Sequence, residues 1–232
     1  MKTKIFCDSA NIKLINRFNK KKIVSGFTTN PSLMRLSGAK NYKKYSKKIL
    51  KVCKLKPVSL EVFADNKKDM LYQANEINSW GENVYVKIPV VNSKGVFMGE
   101  VIRALSHNGI KLNITAVYTT NQVNKIIQSL NKKTKSIISI FAGRMADKGK
   151  DPIPVIKHGI TKVKKFKNIE VLWASTREAY NFLQAKNCRC HIITMPPKII
   201  EQIENFGKSY EDLTLNTVKK FLEDSKKSKF KI

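Results

Sequence analysis

Val84-Tyr85-Val86-Lys87-Ile88-Pro89-Val90 is an apolar run broken by one lysine. Its valines and isoleucine favour an extended chain, and an uninterrupted apolar stretch of this length suits a strand covered on both faces. The next patterned stretch, 96–108, carries apolar residues at helical spacing, and 112–117 is β-rich again. One strand-helix-strand unit is therefore legible around Lys87, and the rest of the chain repeats it.

Working outward, β-rich runs occur at 4–8, 23–28, 58–63, 84–88, 112–117, 137–141, 169–173 and 191–194. Between them lie amphipathic stretches such as 67–79, 96–108, 120–131, 176–186 and 197–205. Eight strand-helix units predict an α/β chain, either a closed (β/α)8 TIM barrel or a doubly wound open sheet. The distribution of polar residues separates the two. An open sheet gathers reactive groups at one switch point, whereas a barrel collects them from many strand ends. Here the ends read Asp8, Thr28-Thr29-Asn30, Glu61, Lys87, Asn113 with Thr115, Ser139 with Arg144, Ser175 with Arg177, and Thr194. Nearly every strand contributes, and Asp8-Ser9-Ala10-Asn11 is not the glycine-rich first turn of a nucleotide binder. The barrel is the expectation. No linker or composition shift divides the chain, so 1–232 reads as a single domain. An additional C-terminal helix is expected over 213–224, then a frayed basic tail over 225–232.

The chain carries 45 Lys plus Arg against 17 Asp plus Glu, a formal charge of +28. Such a charge invites a nucleic-acid reading. Only six of those basic residues are arginine, however, and the lysines are spread along the whole length with no RNP1, zinc-finger or basic-zipper pattern. A solvated lysine coat is the preferred reading, with nucleic acid disfavoured as a partner. No apolar run approaches the ~20 residues of a membrane span, and the N-terminus lacks a signal-peptide core, so a cytoplasmic location is expected. Cys7, Cys53, Cys188 and Cys190 form no Cys-x-x-Cys pair and read as reduced packing residues, and no metal site is expected from Cys188-Arg189-Cys190-His191.

Lys87 is the residue most suited to chemistry. If it points into a closed barrel, burial disfavours its ammonium form and leaves an amine able to attack a carbonyl. Imine chemistry also needs proton shuttles, and Asp8 and Glu61 each end an apolar strand. Arg144 and Arg177, in a chain poor in arginine, follow strands and open helical stretches, a setting that suits a phosphate or, equally, an ion pair with a nearby acid. Three tempting motifs fail. Residues 143–150 have the wrong glycine spacing for a P-loop, Asn113-Ile114-Thr115 is a sequon inside a strand, and His107, His158 and His191 lack metal-ligand spacing.

The residues resemble the transaldolase and fructose-6-phosphate aldolase family. The resemblance is carried by Asp8-Ser9-Ala10-Asn11, Gly26-Phe27-Thr28-Thr29-Asn30-Pro31-Ser32-Leu33, Ser59-Leu60-Glu61-Val62, Val86-Lys87-Ile88-Pro89, Asn113-Ile114-Thr115, Phe141-Ala142-Gly143-Arg144 and Ala174-Ser175-Thr176-Arg177. It implies a TIM barrel with a Schiff-base lysine on the fourth strand, and transfer of a dihydroxyacetone unit from a ketose phosphate to an aldose phosphate without a cofactor. Carried onto matching positions, Lys87 forms the imine, Glu61 and Thr115 move protons through a water, and Asp8 takes the C4 hydroxyl proton. Asn30, Thr29, Asn113, Ser139 and Phe141 bind substrate, while Arg144, Ser175 and Arg177 hold the phosphate. The family's transferases tend to carry Glu and Phe at positions 61 and 141, and its aldolases Gln and Tyr, so transfer is favoured over release of free dihydroxyacetone. Ile140, the stretch 92–95 and the loop 148–154 depart from the usual pattern. The family's ring assemblies imply a homo-oligomer, with 213–232 packing on a neighbouring subunit.

Overall fold

The structure, a computed structural model, describes residues 2–228. Its elements follow in the order β1 (Lys4–Asp8), α1 (Ile12–Asn19), β2 (Val24–Thr28), α2 (Pro31–Leu36), α3 (Tyr42–Val52), β3 (Val58–Glu61), α4 (Lys67–Asn78), β4 (Val84–Pro89), α5 (Gly99–His107) and β5 (Leu112–Val117). There follow α6 (Thr120–Ser129), β6 (Ser136–Ile140), α7 (Ala142–Ala146), α8 (Ile153–Val163), β7 (Ile169–Trp173), α9 (Tyr180–Asn187), β8 (Ile192–Met195), α10 (Pro197–Ile203) and α11 (Tyr210–Ser228). All eight strands are parallel, and β1 pairs with both β2 and β8, so the sheet closes into the expected TIM barrel.

Alternation along each strand builds two apolar layers. Outward residues such as Val86, Ile88, Ile114 and Val171 pack under the helices in the main core. Inward, Phe6, Ile137, Leu172, Ala174 and Ile192 plug the barrel. Gly26 is required here, because a Cβ at that position would lie 2.6 Å from the Phe6 ring. Two residues further along, the inward positions turn polar: Asp8 follows Phe6, Lys87 follows Tyr85, and Ser139 follows Ile137.

The helices start where the sequence supplies caps. Asn11, Asn30, Asn41 and Asn66 each accept a first-turn N–H, and Thr119 with Gln122 forms a capping box before α6. Three of these asparagines, Asn11, Asn30 and Asn66, sit at strand-to-helix turns around the barrel mouth.

Several expected boundaries move. The third strand stops at Glu61, leaving Phe63 63% exposed, and Phe141 caps α7 instead of ending β6. Helix α5 begins at Gly99, because Val91 and Phe97 bridge across the preceding loop. Helix α9 begins at Tyr180 because Ser175 adopts a positive φ of 65° and Asn181 Oδ1 accepts the Arg177 and Glu178 N–H groups. The last helix is longer than the expected 213–224: Ser209 Oγ accepts the Asp212 N–H, and the helix runs to Ser228, where Lys226 and Lys227 complement its C-terminal dipole. Positions 229–232 of the expected tail lie outside the described residues. Among the described residues no helix is long and apolar enough to cross a membrane.

Candidate active site

The polar inward residues meet in one cavity of about 230 Å³ at the C-terminal end of the barrel. Lys87, only 8% exposed, reaches it from β4, with Val86 and Ile88 anchoring the strand outside. Its Nζ lies 3.0 Å from Glu61 Oε2 and donates to the Thr29 carbonyl at 3.2 Å. Glu61 is held from behind, since the Tyr42 hydroxyl donates to its carbonyl at 2.8 Å and accepts its N–H at 2.9 Å.

Asp8 faces the same space from β1. The Thr28 hydroxyl donates to its Oδ1 at 2.7 Å and lies 2.5 Å from the Thr194 hydroxyl. Burial pushes the Asp8 carboxyl above the usual carboxylate range; the Lys87 ammonium and the Thr28 hydrogen bond pull the other way, and Glu61 adds to the rise. Asp8 is therefore poised to exchange a proton nearer neutrality than a surface aspartate.

A second network crosses the barrel floor. Asn113 Nδ2 donates to Ser59 Oγ at 2.9 Å, and Ser139 Oγ donates to Asn113 Oδ1 at 2.6 Å. Both amide ends of Asn113 are thereby fixed, and its place here, 0% exposed, closes it to glycosylation. Thr115 lines the cavity with a buried hydroxyl that has no hydrogen-bond partner among the described residues.

At the rim, the loops after β6 and β7 touch. A Cβ on Gly143 would come 1.6 Å from the Ser175 carbonyl oxygen, so only glycine permits this approach. Arg144 extends over the Phe141 ring, 5.4 Å from its centroid, and Phe141 packs on Tyr118 at 5.8 Å. Arg177 also lines the cavity, but its Nε and Nη2 bind Asp147, the latter at 2.6 Å. The ion-pair setting recognised as an alternative for these arginines is realised at Arg177, and Arg177 holds the Asp147 carboxyl below the usual range. Arg144 has no carboxylate within 4.0 Å among the described ion pairs.

The cavity thus gathers Lys87, Asp8, Thr115, Asn30, Asn113, Ser139, Phe141, Arg144, Ser175 and Arg177, with Glu61 bound to Lys87 beside it. Thr29 does not line the cavity: it is fully buried, its hydroxyl donates to the Ser59 carbonyl at 2.9 Å, and its backbone oxygen accepts from Lys87. Asn30 spends its side-chain oxygen on capping α2, leaving its amide nitrogen for the cavity. Reading the sequence assigned no role to Thr28, Thr194, Thr176 or Tyr42. The first two were visible as polar strand ends. Tyr42 gave no signal, because it reaches Glu61 from a helix nineteen positions away. Among the described residues, no group of three His, Cys, Asp or Glu is placed to hold a metal. The Cys190 thiol, pushed up to about 12 by burial, donates to the Val171 and Ile192 carbonyls, while His191 Nδ1 accepts the Val171 N–H.

A family model described as transaldolase/fructose-6-phosphate aldolase matches residues 5–232. The chain belongs to this family. It is 33% identical over 227 residues to a "Probable transaldolase" of Dehalococcoides mccartyi, covering 96% of this chain and 98% of the relative. A "Probable transaldolase" of a Thermoanaerobacter species is 30% identical over 230 residues, covering 99% of this chain and the whole of the relative. One from Methanococcus maripaludis is 33% identical over 224 residues, covering 95% and 96%. Among solved structures, KGPDC from Streptococcus mutans superposes with a TM-score of 0.56 at 8% identity, covering 84% of this chain and 88% of that one. At that identity the likeness concerns the barrel alone. The protein is an enzyme of the transaldolase family, and Lys87 occupies the fourth strand of its barrel.

Proposed function

We propose that this transaldolase-family enzyme moves a dihydroxyacetone unit from a ketose phosphate, sedoheptulose 7-phosphate or fructose 6-phosphate, to an aldose phosphate through a Schiff base on Lys87. The observation that carries this reading is the meeting of a nearly buried lysine with two carboxylates, one bound to it at 3.0 Å and one pushed above its usual range.

Glu61 accepts a proton from Nζ, freeing the amine to attack the C2 ketone. The carbinolamine loses water as Glu61 and Thr115 relay protons, and Thr115 offers a hydroxyl with no other partner among the described residues. Asp8 takes the C4 hydroxyl proton, the C3–C4 bond breaks, and its electron pair flows into the protonated imine to give an enamine. The aldose phosphate departs. A second aldose phosphate binds, the enamine attacks it, and the steps reverse. Asn113, fixed at both amide ends, and Ser139 hold sugar hydroxyls, with Asn30 opposite. The phosphate binds at the rim to Arg144, the Ser175 backbone and hydroxyl, and the edge of Arg177 that Asp147 leaves open.

Phe141 and Glu61 favour transfer over release of free dihydroxyacetone. A phenyl ring held between Tyr118 and Arg144 has no proton to give the enamine, so the carbanion equivalent waits for an acceptor. Such sugar phosphates belong to the cytoplasm. We further infer a homo-oligomer: α11 buries none of its residues on its own chain, and Leu213, Leu215, Val218, Phe221 and Leu222 are all at least 48% exposed. That apolar surface suits a neighbouring copy.

The test is borohydride reduction with fructose 6-phosphate followed by peptide mapping. An adduct on Lys87 is expected. Turnover run with and without erythrose 4-phosphate separates transfer, which needs the acceptor, from simple cleavage, which does not. Absence of both adduct and sugar turnover would leave only a catalytically silent barrel.

A further inference from the structure

The fold sorts lysines that the sequence spreads evenly. Seven connections lead from a helix into the next strand. They carry three lysine triplets, within 20–22, 132–135 and 164–167, together with Lys54, Lys56, Lys111 and Arg189. Against these thirteen basic residues stands one acid, Glu82. The eight connections from a strand into its helix hold Lys94 and Arg177 against Asp65 and Glu178. A parallel barrel puts all connections of one kind at one end. The end opposite Lys87 is therefore a basic face, while the loops around the cavity balance.

General enrichment in lysine does not account for this contrast. The helices, whose outer faces meet solvent just as freely, hold 21 basic and eight acidic residues, a far milder excess. The charge on the basic face is also arranged. The lysines of 20–22, 54 and 56 precede the adjacent strands β2 and β3, and those of 111, 132–135 and 164–167 precede β5, β6 and β7, adjacent in turn. Glu82 before β4 and Arg189 before β8 divide these two arcs, which face each other across the barrel axis.

Some of these lysines serve the fold. Lys56 donates to the Asn19 carbonyl, Lys132 to the Leu130 carbonyl, and Lys21 pairs with Glu204. Lys133, Lys135, Lys164, Lys165 and Lys167 are exposed and appear in none of the described ion pairs. Leu55 is the only large apolar side chain that the helix-to-strand connections expose, too little to anchor a lipid surface. Their aromatic residues, Trp80 and Phe166, are half-buried against the core, so nothing there offers a platform for unpaired bases. Two opposed arcs of lysine point charges instead match two phosphate strands.

We propose that this basic face binds the phosphate backbone of a nucleic-acid duplex without regard to base sequence. The binding is independent of the sugar chemistry at the other end of the barrel.

The test uses the full chain and a labelled duplex of arbitrary sequence, with anisotropy read across a salt series. One variant replaces Lys133, Lys135, Lys164, Lys165 and Lys167 by Gln. Another, of equal net charge, replaces the exposed Lys13, Lys40, Lys44, Lys68 and Lys94 away from this face. The first is expected to weaken binding at least about tenfold and to lower the salt slope by about 0.9 for each phosphate no longer neutralised, the second to change little. Both keep wild-type sugar turnover, which also reports that they fold. Equal losses in the two variants would overturn the proposal in favour of unspecific net charge. So would tighter binding to phosphatidylserine vesicles than to duplex, or no duplex binding at physiological salt.

Discussion

Lys87 and Glu61 are paired across neighbouring strands: they stand opposite each other in the β3–β4 register, and Nζ lies 3.0 Å from Oε2. The barrel's hydrogen-bond register puts the two side chains next to each other. Replacing Glu61 by Gln keeps the shape but removes the proton acceptor. We expect kcat to fall by about a hundredfold to ten-thousandfold, with the yield of borohydride-trapped adduct reduced in parallel. Retention of wild-type kcat would remove Glu61 from the proton relay.

Asp8 links pH to both activity and stability. Its carboxyl sits above the usual range in the folded chain, so the folded state holds its proton more tightly than the unfolded one. Its contribution to stability is present below the unfolded pKa and is lost as pH rises through the folded pKa. Asp8→Asn should therefore raise Tm at neutral pH, with the gain shrinking in acid, while turnover collapses. In the wild type, the acidic limb of kcat/KM should lie above that of an ordinary aspartate. A Tm gain that grows toward low pH would contradict the assignment.

Gly143 tests the rim. Adding a methyl group 1.6 Å from the Ser175 oxygen forces the two rim loops apart, at a cost of about 1–3 kcal/mol. Gly143→Ala should lower Tm and raise KM for a ketose phosphate more than it lowers kcat. Thermal melts and steady-state kinetics check both.

Arg144 and Arg177 should differ. Arg144 has no carboxylate partner among the described residues, whereas Arg177 already holds Asp147. Arg144→Ala is expected to raise KM for phosphorylated substrates about tenfold to a hundredfold, the worth of one charge-assisted hydrogen bond. Arg177→Ala should do less. Competitive inhibition by inorganic phosphate should weaken in the same order, and the reverse order would make Arg177 the main anchor.

Removing 209–232 tests the role of α11. The helix buries nothing on its own barrel, so the truncated chain should lose only the helical signal of α11 from its circular dichroism and keep its cooperative melt, while sedimenting as a monomer. A subunit number unchanged by the truncation would overturn the assignment of α11 as the assembly surface.

Much of the site was legible because a barrel exposes its strand ends in sequence order. Asp8 and Glu61 were recognisable as carboxylates ending apolar strands, and Lys87, Asn113 and Ser139 as polar residues inside them. Residues that act through their backbone or from a helix were not. Thr29 spends its side chain on the Ser59 carbonyl and meets Lys87 through its own carbonyl. Tyr42, which braces Glu61, carries no local mark of that role.

The sequence by itself determined the alternation of strands and helices, the caps that begin those helices, and the chemical types gathered at the strand ends, because each depends on periodicity or on a few adjacent residues. Only the tertiary structure decided which groups touch. Ring closure brought β1 against β8 and joined Thr28 to Thr194, 166 positions apart. It paired Arg177 with Asp147, and it turned an evenly scattered lysine content into one basic end and one balanced end. Such outcomes follow from long-range pairing of strands, and no short window of residues encodes that geometry.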